Sequence, residues 1–317
     1  MLAQIESEEF TNSTLKDKQK IIQLKNKKAS DIFKEFSKIL DAFDQRNNVI
    51  IAVIGNGLFL WDIRNTFKIE KWISTYKNTV EEWFSVVSFF DAQNSLANFS
   101  FNKPKYIFPT ISNEKSVLNS INLGHPLLDT SKRIDNDFSV NQEQFFIVTG
   151  ANMAGKSTFL RTVSLAIVMS NCGLPVCTNK IKYNPIKLIT SMRTSDSLND
   201  DESYFYAELK RLKFIVNEIK NENYFIILDE ILKGTNSKDK AIGSKKFVEK
   251  LNKSKSTGII ATHDVSLCDL ATEYPTIENY YFDAEIINDE LHFDYKMKNG
   301  VCKNMNASFL LKKMEII

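Results

Sequence analysis

The stretch TGANMAGKSTFLRT, Thr149–Thr162, contains Gly150-x-x-x-x-Gly155-Lys156-Ser157, the spacing of a phosphate-binding loop. That spacing also recurs by chance, so its flanks decide. Before it stands Phe145–Thr149 (FFIVT), an apolar run of the kind that forms a fully buried strand. After it, Phe159, Leu160, Val163, Ala166 and Ile167 mark one face of a helix that ends at Gly173 and Pro175. A strand that turns through a glycine loop into a helix offers an anion the loop's backbone N–H groups and the positive end of the helix. In such a cradle Gly150, Ala151, Asn152, Met153, Ala154, Gly155 and Thr158 surround phosphate oxygens. Lys156 then reaches the β- and γ-phosphates, and the Ser157 hydroxyl binds Mg²⁺.

Two further apolar runs end in chemistry. Phe225–Leu228 (FIIL) delivers Asp229 and Glu230, and Gly258–Ala261 (GIIA) delivers Thr262, His263 and Asp264. Asp229 is placed to hold Mg²⁺ through water, and Glu230, one residue on, to polarise a water for in-line attack on a γ-phosphorus. The direct succession of the two acids suits water activation and not the acceptor pocket of a kinase. His263 stands where it can hydrogen-bond the γ-phosphate or the attacking water; His125 and His292 have no such setting.

Short apolar runs alternating with helices predict an α/β region with a mainly parallel sheet. A hairpin closes it, with Ala284–Ile287 turning through Asn288, Asp289 and Glu290 into Leu291–Tyr295. Upstream the sequence reads as helix: Ile32, Phe33, Phe36, Ile39, Leu40 and Phe43 recur at helical steps, and a separate helix is expected over Trp83–Asn98. Asn102-Lys103-Pro104 breaks that pattern, dividing the chain into a helical region, 1–103, and an α/β region, 104–317. The run Val49–Trp61 is too short for a membrane span and is interrupted by Gly55-Asn56-Gly57, which predicts core. The Lys-rich stretch Lys16–Lys28 is either a solvated helix face or a contact to DNA phosphates.

Composition sets the outer limits. With 317 residues, 43% hydrophobic and 25% charged, the chain is globular, and its net charge of +2 says nothing about partners. Cys172, Cys177, Cys268 and Cys302 show no metal-ligand spacing and read as free thiols, which fits a reducing cytoplasm. No membrane segment and no secretory signal is expected in a chain that opens MLAQIESEEF.

GANMAGKST, ILDEILKGTNSKD and IIATHD together resemble the ATPase domain of the MutS mismatch-repair family, whose phosphate loop reads GPNMGGKST. The resemblance runs from about Asn122 to Met314. It implies a P-loop NTPase of the ABC class, preceded by the end of a helical lever and core region. It also implies ATP and Mg²⁺ as cofactors, a homodimer with composite sites, DNA as partner and mismatch-repair function. Ser203 takes the place of the serine that the family presents across the dimer to the partner's γ-phosphate, and Asp239 closes the loop after the acidic strand. Arg133 or Ile134 falls near where the family stacks adenine. Asp200, Asp201 and Glu202 before Ser203 also fit a plain acidic helix start. The family's mismatch-reading domain is not expected at this length, and Asn304–Phe309 departs from the family's usual tail. The alternative function is a nucleotide-gated dimerising adaptor without mismatch recognition.

Overall fold

The computed structural model describes residues 1–24, 27–192, 204–287 and 290–303. It divides into two compact units, Met1–Asn102 and Lys103–Ile317.

The first unit is helical. Helices α1 (Leu2–Ser7), α2 (Ser13–Ile22) and α3 (Ala29–Asp44) pack on a long helix. Between α3 and that helix lie a π-helical turn, Ile51–Gly55, and the short α4 (Asn56–Phe59). The long helix, α5, runs from Trp61 to Asn102, 42 residues without interruption. No separate helix begins at Trp83, contrary to the sequence-based expectation. The physical reason is that Trp72, Tyr76, Val80, Trp83, Val86 and Phe90 continue one face at three- and four-residue steps, and α5 contains no Gly or Pro to end it. Ile5, Ile22, Ala29 and Ile32 close over that face, and Phe36 stacks on Trp72 with ring centroids 3.9 Å apart. The Lys-rich stretch is not one helix, since α2 ends at Ile22 and α3 starts at Ala29.

Val49–Trp61 corrects the expectation more strongly. It is the turn of a helical hairpin, with Trp61 donating to the Ala42 carbonyl at 2.8 Å, and most of its described side chains are exposed. Val49, Val53 and Leu58 are 76%, 69% and 73% exposed. At the end of a two-helix hairpin only two helix ends are at hand, and among the described residues of the helical unit no third helix covers the turn. No helix among the described residues is long and apolar enough to cross a membrane.

The second unit is the α/β region that the sequence pattern predicts. Its strands and helices, in chain order, are β1 (Thr110–Ile111), β2 (Ser116–Leu123), β3 (Asn136–Asn141), β4 (Phe145–Gly150), α6 (Lys156–Asn171), β5 (Lys180–Tyr183), β6 (Lys187–Met192) and α7 (Tyr204–Glu218). They continue as β7 (Tyr224–Asp229), α8 (Ser237–Lys253), β8 (Thr257–Ala261), α9 (Leu270–Glu273), β9 (Ile277–Phe282), β10 (Glu285–Ile287), β11 (Glu290–His292) and β12 (Met297–Asn299). The main sheet has the order β12-β9-β4-β8-β7-β6, parallel throughout except for β12 at its edge. Strands β4 and β8 are buried end to end, and β7 from Phe225 onward, as a sheet covered on both faces requires. A smaller sheet, β1-β5-β2-β3, stands beside it.

Register sets the site. Val148 of β4 and Asp229 of β7 both pair with Ala261 of β8, so β7 and β8 finish at one level and β4 runs two residues past it to Gly150. The predicted hairpin forms as β10 and β11, but its second strand starts at Glu290 and stops at His292, and Tyr295 leaves it with φ of 53°.

Candidate nucleotide site

Gly150 ends β4 with φ of 145°, and a Cβ there would lie 2.5 Å from the Phe282 carbonyl oxygen, so glycine alone fits. Met153 and Gly155 also turn through positive φ, 66° and 110°, before Lys156 opens α6. Ala154 is buried, Asn152 and Met153 are exposed, and Ala151, Ser157 and Thr158 are half-buried at the mouth of the loop. The Lys156 ammonium is folded back into the loop and donates to the carbonyls of Gly150 at 2.7 Å and Ala151 at 2.8 Å. Burial pushes its pKa down, and the charges of Glu230 and Asp229 oppose that shift.

At the end of β7, Asp229 is buried, and Glu230 is bent out of the strand with φ of 52°. Leu232 follows at φ of 60°; left-handed backbone at two non-glycine residues costs on the order of 1 kcal/mol each. The Glu230 carboxylate meets His263 Nε2 at 2.5 Å and Lys233 Nζ at 3.5 Å. The hydrogen bond from His263 is the main cause that takes the Glu230 carboxyl down to about 2, against the effect of burial. His263 follows β8 one residue beyond Thr262, whose N–H bonds the Val148 carbonyl at 3.0 Å and ties this loop to β4.

The phosphate-loop residues, Asp229, Glu230 and His263 therefore gather at one edge of the sheet. Asp239 stands apart: it is exposed in the first turn of α8 and engaged with the cap of its own helix, Asn236, at 2.6 and 2.9 Å. Ser203 lies outside the described residues.

A cavity of about 330 Å³ opens beside Gly155 and Thr158. Ile134, Phe282 and Tyr295 supply its apolar wall, and the Tyr295 ring packs against Gly155. Arg133 is not in that wall; it is clamped to Asp135 by two bonds, at 2.6 and 3.1 Å. Sequence reasoning missed His125 and Tyr295, which also line the cavity. Burial, with the charge of Arg161, pushes the pKa of His125 down. A larger cleft, about 630 Å³, lies among Glu143, Lys187, Tyr224 and Lys255 at the other end of the sheet. Parallel sheets bind ligands at the carboxyl ends of their strands, and that cleft is at the opposite ends.

The family described as MutS domain V matches residues 146–313 of this chain, more than half of it. The chain belongs to the MutS family. Domain V is the ATPase domain of MutS proteins. Among curated MutS relatives, the DNA mismatch repair protein MSH4 of Arabidopsis thaliana is 29% identical over 234 residues, 70% of this chain and 28% of that protein. The DNA mismatch repair protein MutS of Halothermothrix orenii is 28% identical over 304 residues, 93% of this chain and 30% of that protein. The MutS protein of Staphylococcus haemolyticus is 27% identical over 270 residues, 83% of this chain and 30% of that protein. The chain thus spans less than a third of the length of each of these MutS relatives.

Proposed function

We propose that this chain is a Mg²⁺-dependent ATPase that hydrolyses ATP at composite sites of a homodimer, and that the cycle drives clamp movement on DNA in the manner of mismatch repair. The observation that carries the reading is that the parallel strands β4, β7 and β8 end on the same side of the sheet within two residues of one level, bringing the loop Gly150–Thr158, Asp229, Glu230 and His263 to one edge. In this reading the loop's N–H groups and Lys156 bind the phosphates. A buried Asp229 carboxylate and the Ser157 hydroxyl are hard oxygen donors, the set that Mg²⁺ takes. Mg²⁺ held there would neutralise charge on the β- and γ-oxygens.

Glu230 orients the water and takes its proton, and His263 holds the Glu230 carboxylate until nucleotide draws it away. Ser203 of the partner subunit, by family resemblance, completes the site across the dimer. Asp239 contributes in the closed dimer, where its helix end faces the partner. The cavity lined by Ile134 and Tyr295 takes the adenine ring. Tyr295→Ala is accordingly expected to weaken ATP about fivefold, through the loss of roughly 1 kcal/mol of ring packing, while inorganic triphosphate binds as before. Competition titrations of the two ligands check this.

The second reading is a nucleotide-gated dimerising adaptor without mismatch recognition. The hold that His263 and Lys233 keep on Glu230 favours it, because a carboxylate at about 2 is a weak base. A DNA titration with and without ATP at about 100 mM salt separates the two. The ATPase-on-DNA reading expects ATP to change DNA affinity by about tenfold and DNA to change turnover. Unaltered DNA binding, with ATP-driven dimerisation intact, leaves the adaptor.

A further inference from the structure

Two residues beyond Glu230 the backbone is held by a side chain from a different element. Glu208, in the second turn of α7, is 4% exposed. Its Oε1 accepts the Leu232 N–H at 2.6 Å and its Oε2 accepts the Lys233 N–H at 3.1 Å. Two successive N–H groups that converge on one anion form a concave nest, and here a buried carboxylate of the same chain fills it. The nest exists because Glu230 and Leu232 both adopt left-handed backbone, at 52° and 60°. That bend turns the Glu230 side chain toward His263 and the strand ends and away from the line of β7. The same helix makes a second close approach, where Phe205 lies over Gly234 so tightly that a Cβ on Gly234 would come within 2.7 Å of the Phe205 Cβ.

We propose that Glu208 is the positioning residue for Glu230, pinning the strained loop 230–233 in the one conformation that directs the Glu230 carboxylate to the strand-end site, and that it thereby makes turnover depend on where α7 begins. The proposal rests on Glu230 being the base that activates water. Glu208 acts through the two N–H groups and touches neither nucleotide nor water. A shift of the first turns of α7 reaches the loop through Glu208 and Phe205.

The test compares ATP affinity, kcat and thermal melts for Glu208→Gln, Gly234→Ala, Glu230→Gln and the double variant Glu208→Gln/Glu230→Gln in the full chain. Glu208→Gln keeps size and one acceptor oxygen but sets an NH₂ against a backbone N–H. It is expected to lower kcat by about tenfold or more while ATP affinity stays within about twofold. The double variant is expected to be no slower than Glu230→Gln alone, since a residue that acts only through Glu230 has nothing left to position. Gly234→Ala pushes the first turns of α7 off the loop without touching the carboxylate, and the same split of kcat from affinity is expected. It also carries the test if Glu208→Gln does not fold. A folded Glu208→Gln or Gly234→Ala variant with kcat within about twofold of the parent overturns the proposal, as do losses that multiply in the double variant. If Glu230→Gln itself turns over at the parental rate, the base assignment fails, and that result is distinct from a failure at Glu208.

Discussion

ATP affinity is expected to fall about 100-fold in Lys156→Ala, on the order of 3 kcal/mol for charge-assisted hydrogen bonds to the β- and γ-phosphates, while the folded chain melts no earlier. The second half of this expectation comes from the lysine's resting state. Its ammonium is buried, and burial lowers its pKa, so the charged form is held in the loop at a cost and its removal relieves that cost. The two carbonyls it leaves, those of Gly150 and Ala151, sit at the loop, and the smaller side chain opens them to water. Calorimetric titration of ATP beside a thermal melt reads both halves. Unchanged affinity would remove the loop from the nucleotide site.

The second large effect is on chemistry and not on binding. Glu230→Gln preserves shape and a hydrogen-bond acceptor but takes no proton from water, so hydrolysis is expected to drop about 1,000-fold with ATP still bound. The variant also loses the carboxylate charge that His263 and Lys233 hold, which frees both side chains to face the γ-phosphate. ATP-loaded protein should therefore accumulate, and under the composite-site reading it elutes as a dimer on a sizing column. A strictly monomeric peak that carries ATP argues against composite sites.

The sequence showed the strand ends most clearly, because what they require is local: an apolar run, a turn and a polar residue on the next position. Phe159, Leu160, Val163, Ala166 and Ile167 were readable as one helix face, and all five are buried. Periodicity failed where tertiary surroundings chose the face. In α7 the apolar Leu209 is 38% exposed and its charged neighbour Glu208 is buried, since the bent loop after Glu230 offers its N–H groups to a carboxylate. Val49–Trp61 looked like core because apolar composition carries no information on whether a packing partner exists. The cavity by Gly155 joins His125, Ile134 and Tyr295, from segments far apart in sequence and without a shared motif, so only the folded chain brings them into view. Asp239 was legible only as part of a motif, and in the folded chain it is exposed in the first turn of α8 beside Asn236.

The unbroken α5 has a mechanical consequence. Forty-two residues of α-helix measure about 63 Å, and the aromatic face from Trp72 to Phe90, clasped by α1, α2 and α3, stiffens its middle. A rod of that length magnifies angles: tilting it by about 5° at Asn102 carries the Trp61 end roughly 5 Å sideways. A tilt too small to disturb the helix's own hydrogen bonds would therefore sweep the exposed apolar turn through the width of a methyl group or more, with no Gly or Pro within α5 to absorb the motion.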